Sequence, residues 1–205
     1  MPRTGERGGP QTRARIAGAA AALFLEHGFE NVTVAQVARE AGVSSVTVFK
    51  HFPRKEDLFL DRSVDAEELL RSAVRDRAPD VDVPAALHTA TVRLADDRHP
   101  LSGLDGQSVP FFRTVAESPA LIARAREIGA DLQRTLVEEL GADTRFDGDA
   151  TLLAAFFVAG YATVLVETAR RRLTTGASPD DLTGDHRARL DRLHDALRGG
   201  VAPSV

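Results

Sequence analysis

The stretch TVAQVAREAGVSSVTVFKHFPRKEDL, from Thr33 to Leu58, constrains the fold most, because it carries the start and stop signals of two short helices joined by a tight turn. Thr33 can cap free backbone N–H groups while Gln36, three residues on, reaches back to the Thr33 N–H. Val34, Val37, Ala38 and Ala41 then fall on one face at helical spacing. Gly42 is suited to the left-handed conformation that ends a helix, and Val43 fills the angle between the two helices. Ser44 or Ser45 caps the second helix, which buries Val48 and Phe52 with Phe49 semi-exposed. Ser45, Val46, Thr47, Lys50 and His51 are left on the outer face. A helix, a glycine-containing turn and a second helix with small, polar and basic groups outward make a helix-turn-helix, whose outer face suits a DNA major groove.

These residues resemble the N-terminal domain of TetR-family transcriptional regulators. The likeness rests on Thr33, Val37, Ala38, Ala41, Gly42, Val43, Ser44, Thr47, Val48, His51, Phe52, Lys55 and Leu58. Upstream, Arg15, Ile16, Ala19, Ala20, Leu23, Phe24, Gly28 and Phe29 join them. The resemblance covers about the first 60 residues. It implies an all-α homodimeric repressor that binds a pseudo-palindromic double-stranded DNA operator and is released by a small, largely apolar effector. Thr33, Lys55 and Arg54 are then expected on phosphates, with Ser44, Ser45, Val46, Thr47, Phe49, Lys50 and His51 at the recognition helix. Phe49 stands where the family usually has Tyr, so it keeps the ring without the hydroxyl that bonds a phosphate. Arg54 stands where the family more often has a small capping residue, giving the next helix a weaker start and an extra cation.

The overall charge of −4 is unevenly divided. Residues 1–56 carry eight Lys/Arg and five Asp/Glu, a net +3, so the remainder holds −7. A basic head on an acidic body is expected when one domain alone touches phosphate. Absence of Cys excludes disulfides and thiol catalysis, and the N-terminus MPRTGERGGPQTR has no apolar run to serve as a secretory signal, so a cytoplasmic protein is expected. No two of the six His have the spacing that places two metal ligands on one helical turn. Neither a phosphate-binding glycine loop nor a nucleophile elbow is present, so no catalytic residue, metal or cofactor is expected.

Three domains are expected: a disordered basic arm over 1–11, a helix-turn-helix domain over 12–58, and a helical ligand-binding and dimerisation domain over 59–205. Arg3 and Arg7 in the arm lie on DNA or in a solvated tail. A helix over 12–27 braces the head. A further helix from Lys55 or Glu56 to about Arg77 would act as a lever into the body. Helices are expected over 84–97, 110–117 and 119–140, with 96–109 a loop and candidate ligand gate. ATLLAAFFVAGYATVLV, seventeen residues without a charge, has the apolarity of a membrane span. It is short of the ~20 residues a span needs, and it reads instead as a buried helix covered by its own chain and by a second copy. That helix near 149–174 and the last one near 179–198 form the expected homodimer interface, with no membrane partner. Phe111, Phe112, Phe156, Phe157 and Tyr161 either line an effector pocket, with His88, Arg113 and Gln133 orienting the ligand, or fill the core. Gly160, unfavourable inside a helix, marks close approach of a ligand or a partner helix. The alternative function is a ligand-independent architectural or partner-docking DNA-binding protein.

Overall fold

The computed structural model describes residues 9–200, and among these it is all-α. The helices are α1 (Gly9–His27), α2 (Val34–Glu40), α3 (Ser45–His51), α4 (Ser63–Arg75), α5 (Val83–Asp96), α6 (Ser108–Glu117), α7 (Pro119–Ala142), α8 (Ala150–Thr175) and α9 (Pro179–Gly200). Single 3-10 turns occur at Glu56–Leu58 and Pro100–Ser102. The chain divides into two compact units. The first holds the residues up to Asp61 together with Pro110–Ala125, and the second holds Arg62–Val109 together with the residues from Arg126 onward.

In the first unit the apolar face of α1 buries Ile16, Ala20 and Phe24 against Val37 and Ala38 of α2 and Val48 of α3. Phe24 lies 5.0 Å from Phe29 and 5.8 Å, edge-on, from Phe59, which in turn stacks at 4.9 Å on Phe111. Leu121 is fully buried in the same core. Two polar contacts hold the late segment to the early one: Ser118 Oγ donates to Glu30 at 2.6 Å, and Arg124 Nε donates to Asp57 at 2.7 Å. This corrects the sequence division, which gave 59–205 to one domain; Phe59, Phe111 and Leu121 carry their apolar area into the head. The expected lever helix is also in two pieces. Leu58 and Phe59 are both buried in this core. A 3-10 turn ends at Leu58 with Phe59 just beyond it, and α4 starts afresh at Ser63. The expected arm over 1–11 lies outside the described residues as far as residue 8, with Arg3 and Arg7, whereas Gly9–Gln11 form the first turn of α1.

In the second unit α5 packs between α4 and α9, and α8 packs along α9. The core joins Leu70, Val74, Leu87, Leu136, Leu140, Leu153, Phe157 and Leu197. Asp82 and Asp149 cap α5 and α8 by accepting from Ala85 N and Leu152 N. Arg77 and Asp143 form a buried pair near the ends of α4 and α7. Burial raises the Asp143 pKa, but the Arg145 N–H and the Arg77 and Arg145 guanidinium groups outweigh it and hold the carboxyl at about 2.

The segment expected as a gate is instead fastened. Tyr161 donates its hydroxyl to Leu101 O at 2.9 Å, the buried Arg172 donates to Gly103 O at 3.3 Å and Asp105 O at 2.8 Å, and Leu104 is fully buried. Turn-forming composition breaks the helix here, and two residues on α8 hydrogen-bond to the stretch. Burial raises the Tyr161 pKa, so its hydroxyl keeps its proton.

α8 is long and apolar enough to cross a membrane by length and composition. One face of it is covered within its own chain through Leu153, Ala154, Phe157, Val164, Thr168, Ala169 and Arg172, while Leu152, Phe156, Val166 and Leu173 on another face are exposed. The close approach expected at Gly160 is to α9: a Cβ there would press into Leu193 Cδ1 and lie 3.2 Å from its Cδ2. By contrast, a Cβ on Gly129 of α7 would meet nothing within 4 Å. Gly129→Ala should therefore gain up to ~1 kcal/mol from helix propensity, while Gly160→Ala should lose that gain to overpacking and unfold at lower urea. Urea unfolding of the two variants beside the parent checks this.

His186 of α9 is buried and shares a 2.9 Å hydrogen bond with Thr168 of α8. Desolvation, helped by the Arg189 charge, lowers its pKa from 6.5 to about 4, so the folded chain holds the ring neutral where the unfolded chain protonates it. The stability this represents is full above pH 6.5 and is lost as pH falls through that value toward about 4. His186→Gln should flatten the fall in unfolding free energy between pH 7 and pH 5, measured by urea titration across that range.

Candidate nucleic-acid interface

The reading face is built by local rules. Thr33 Oγ1 accepts from Gln36 N at 3.3 Å while the Thr33 N–H donates to Gln36 Oε1 at 2.8 Å, closing both halves of a capping box. The Thr33 hydroxyl itself donates to Gln36 Oε1 at 2.7 Å. Ala41 follows the end of α2 as its C-cap, Gly42 takes φ 63°, and the Val43 N–H returns to Ala38 O at 2.9 Å, which turns the chain into α3. Ser44, not Ser45, caps α3: its Oγ accepts from Thr47 N at 3.1 Å and pairs with Thr47 Oγ1 at 2.9 Å.

Burial then sorts the seven residues of α3 into two faces. Val48 is fully buried, and Phe52 beyond the helix is covered by the Arg13 guanidinium, 4.1 Å above its ring. Arg13 also donates to Asp61 O at 3.1 Å. On the outer face Val46 is 79% exposed and Phe49 50% exposed, Lys50 is exposed, and Ser45, Thr47 and His51 are half-buried. Ser44 is exposed at the start of the helix.

Two residues expected on phosphates have further roles. Lys55 Nζ donates to Phe29 O at 2.6 Å and sits 4.2 Å above the Phe29 ring, which fastens the turn between α1 and α2. An ammonium has three donors, so this bond leaves two for other partners. Arg54 is exposed, and its backbone N–H donates to Asp57 Oδ2 at 3.2 Å, so Asp57 supplies a cap where a weaker start was expected. Sequence reasoning missed Asp57 and Arg13. The three-residue spacing from Arg54 to Asp57 is a capping signal; nothing local signals where Arg13 packs.

The eight residues expected around an effector fall in both units. Phe111 and Phe112, edge to face at 5.5 Å, belong to the first unit, as does the exposed Arg113. In the second unit Phe157 is buried and stacks at 6.1 Å on Tyr161, Phe156 is exposed, and Gln133 is half-buried on α7. His88 shares a 2.8 Å hydrogen bond with Asp191 and lies 4.8 Å from the His194 ring. His88, His194, Thr91 and Phe157 border a cavity of about 10 Å³, room for one water. A wider surface recess of about 430 Å³ lies among Arg77, Pro84, Arg145, Phe146, Leu153 and Leu197. Among the described residues, no group of three or more His, Asp or Glu side chains is placed to hold a metal ion.

Residues 16–61 match the family model described as bacterial regulatory proteins, tetR family. Over 158 residues the chain is 29% identical to the HTH-type transcriptional regulator TcmR of Streptomyces glaucescens, covering 73% of this chain and 69% of that one. The fold is similar to that of a TetR-family regulator from Streptomyces coelicolor A3, at 21% identity and a TM-score of 0.60, covering 95% of this chain and 99% of that one. It is also similar to that of SmeT in its complex with triclosan, at 16% identity and a TM-score of 0.59, covering 93% and 91%. The capping box, the left-handed turn at Gly42 and the two-faced α3 all fall inside the matched segment, and the likeness of fold extends to the helices beyond it. Residues 16–61 form a helix-turn-helix of the tetR family of bacterial regulatory proteins.

Proposed function

We propose that this regulator is a homodimeric repressor whose two heads occupy the half-sites of a pseudo-palindromic operator, and that a small, largely apolar effector bound by the second unit releases it. The observation that carries the DNA-reading part is the sorting of α3, with Val48 inward and Val46, Phe49 and Lys50 outward on a capped helix. Lys50 and His51 supply donors to base edges, and Arg54 and the free donors of Lys55 supply charge for phosphates. The Thr33 hydroxyl keeps a lone pair but has spent its proton on Gln36, so its part is to set the angle of α2. A DNA-binding regulator of this kind works in the cytoplasm.

The dimer rests on α8. Leu152, Phe156, Ala159, Thr163, Val166, Arg170 and Leu173 are all exposed, at spacings that alternate between four and three residues. That alternation is the seam along which two helices pack. On α9 the exposed Gly184 and Ala196 would allow a second copy to approach closely. Two copies also double the positive charge presented to DNA, which the modest excess of one head requires.

For release, the effector must bind the DNA-incompetent spacing of the heads better than the competent one, and its effect is limited by that difference. Drug-sized ligands occupy pockets of roughly 300–1,000 Å³, so an effector entering beside His88 and Phe157 must widen a cavity that is now about 10 Å³. The same close packing favours a second reading, in which the second unit only dimerises and no effector acts. Screening small apolar molecules for release of a specific gel-shifted complex separates the two.

The first test of the whole reading is a gel shift on DNA upstream of the protein's own gene, and on sites selected from random duplexes, at two salt concentrations with random competitor. A salt-sensitive complex that survives competition is expected. Phe156→Asp should convert the dimer to monomer in analytical ultracentrifugation and weaken binding to a palindromic site at least tenfold, with the helical circular dichroism unchanged. Lys50→Ala should alter base preference among selected sites. Lys55→Met keeps the aliphatic stem and should cost roughly 1–2 kcal/mol of stability through the lost bond to Phe29 O. An equal loss of Lys50→Ala affinity on specific and random DNA would remove Lys50 from base reading.

A further inference from the structure

α3 presents two apolar side chains to solvent in the middle of a face otherwise suited to polar contacts. Val46 and Phe49 are 79% and 50% exposed, against complete burial of Val48 between them. They stand three residues apart on a helix, so they lie side by side on one face, with Lys50 adjoining. Two hydroxyls near the front of that face are engaged with each other: Ser44 Oγ accepts from Thr47 N and pairs with Thr47 Oγ1 at 2.9 Å. Phe49 has no hydroxyl and can bond neither a phosphate nor a base edge. What Val46 and Phe49 can gain is removal of their apolar surface from water.

The base edges of a major groove offer one apolar group, the C5-methyl of thymine. Resting on the DNA-reading role proposed above, we infer that Val46 and Phe49 read thymine through this methyl group, each covering one in every half-site. The positive head brings the face to the duplex, and the methyl pair adds preference at two positions without a hydrogen bond. Thymine is then distinguished from cytosine, which lacks the methyl, at bases that no donor on α3 needs to touch. The contact also explains why a bare ring is sufficient at position 49.

Deoxyuridine isolates this contact, because it pairs like thymidine and differs by the C5-methyl alone. The site would be selected by the purified full-length protein from random duplexes, then remade with deoxyuridine at every thymine together and at each thymine singly. Two positions per half-site should each lose about three- to tenfold in affinity on single replacement, the scale expected for uncovering one methyl group and part of its apolar partner. Val46→Ala should abolish the deoxyuridine penalty at one of them and Phe49→Ala at the other, as residues in contact couple in a double-mutant cycle. Val46→Thr, nearly the same shape with a hydroxyl in place of a methyl, should also weaken the thymine site more than the deoxyuridine site. Both side chains are exposed, so unchanged thermal unfolding of the variants separates a lost contact from a lost fold.

Affinity within twofold on fully deoxyuridine-substituted DNA, with specific binding to the thymine site intact, would overturn the methyl contact and leave the DNA-reading role standing. A penalty that persists unchanged in both alanine variants would overturn it also, since the loss would then come from the duplex. Failure to select any site over random DNA would remove the DNA-reading role and this inference together.

Discussion

Neither α2 nor α3 could exist by itself. Each has seven residues, fewer than the ~12–15 at which an isolated helix becomes marginal in water, so each depends on what it packs against and on how its ends are satisfied. Packing comes from Val37 and Ala38 on one helix and Val48 on the other, set against Ile16, Ala20 and Phe24 of α1. End satisfaction comes from the Thr33–Gln36 box, the Ser44 cap and the Asp57 carboxylate that receives the Arg54 N–H. Lys55 adds a link that is polar and aromatic together, holding the Phe29 carbonyl while resting on its ring. The orientation of the outer face follows from this arrangement, because inward Val48 and Phe52 fix where Val46, Phe49 and Lys50 point.

The second unit applies the same economy to longer helices. α8 carries apolar residues on more than one side, and its own chain covers part of them: Leu193 of α9 seats on Gly160, and Phe157 enters the core. Its polar residues are placed where irregular backbone needs partners. Tyr161 and Arg172 supply donors to three carbonyls of the segment after α5. Arg172 thus has its charge met chiefly by peptide dipoles, which anchors the segment more directionally than apolar contact alone.

Features governed by neighbours in sequence were legible. The capping box at Thr33, the turn at Gly42, the inward pair Val48 and Phe52 and the run of helices through the body follow from spacing and end chemistry. Features governed by distant partners were not. Nothing near Phe111 states that it will stack on Phe59, nothing near Lys55 names the Phe29 carbonyl, and turn-rich composition at 97–107 does not reveal the two α8 side chains that fasten it. The break between Leu58 and Ser63 was hidden because its apolar residues suit a helix as well as the turn they adopt. At the reading face, burial could be foreseen from periodicity and the Thr33–Gln36 box from spacing, but the pairing of the Ser44 and Thr47 hydroxyls depends on geometry.

The buried position of Leu121 in the core of the first unit bears on the order in which this protein is made. Synthesis delivers α1 to α3 early, yet Leu121 and the stacking partner of Phe59 are still unmade when Asp61 leaves the ribosome. Until they emerge, the rings of Phe24 and Phe59 lack part of their cover, and the nascent head has an apolar surface open to chaperones or to misplaced contacts. The head is therefore completed only after Leu121, sixty residues beyond Asp61, has emerged.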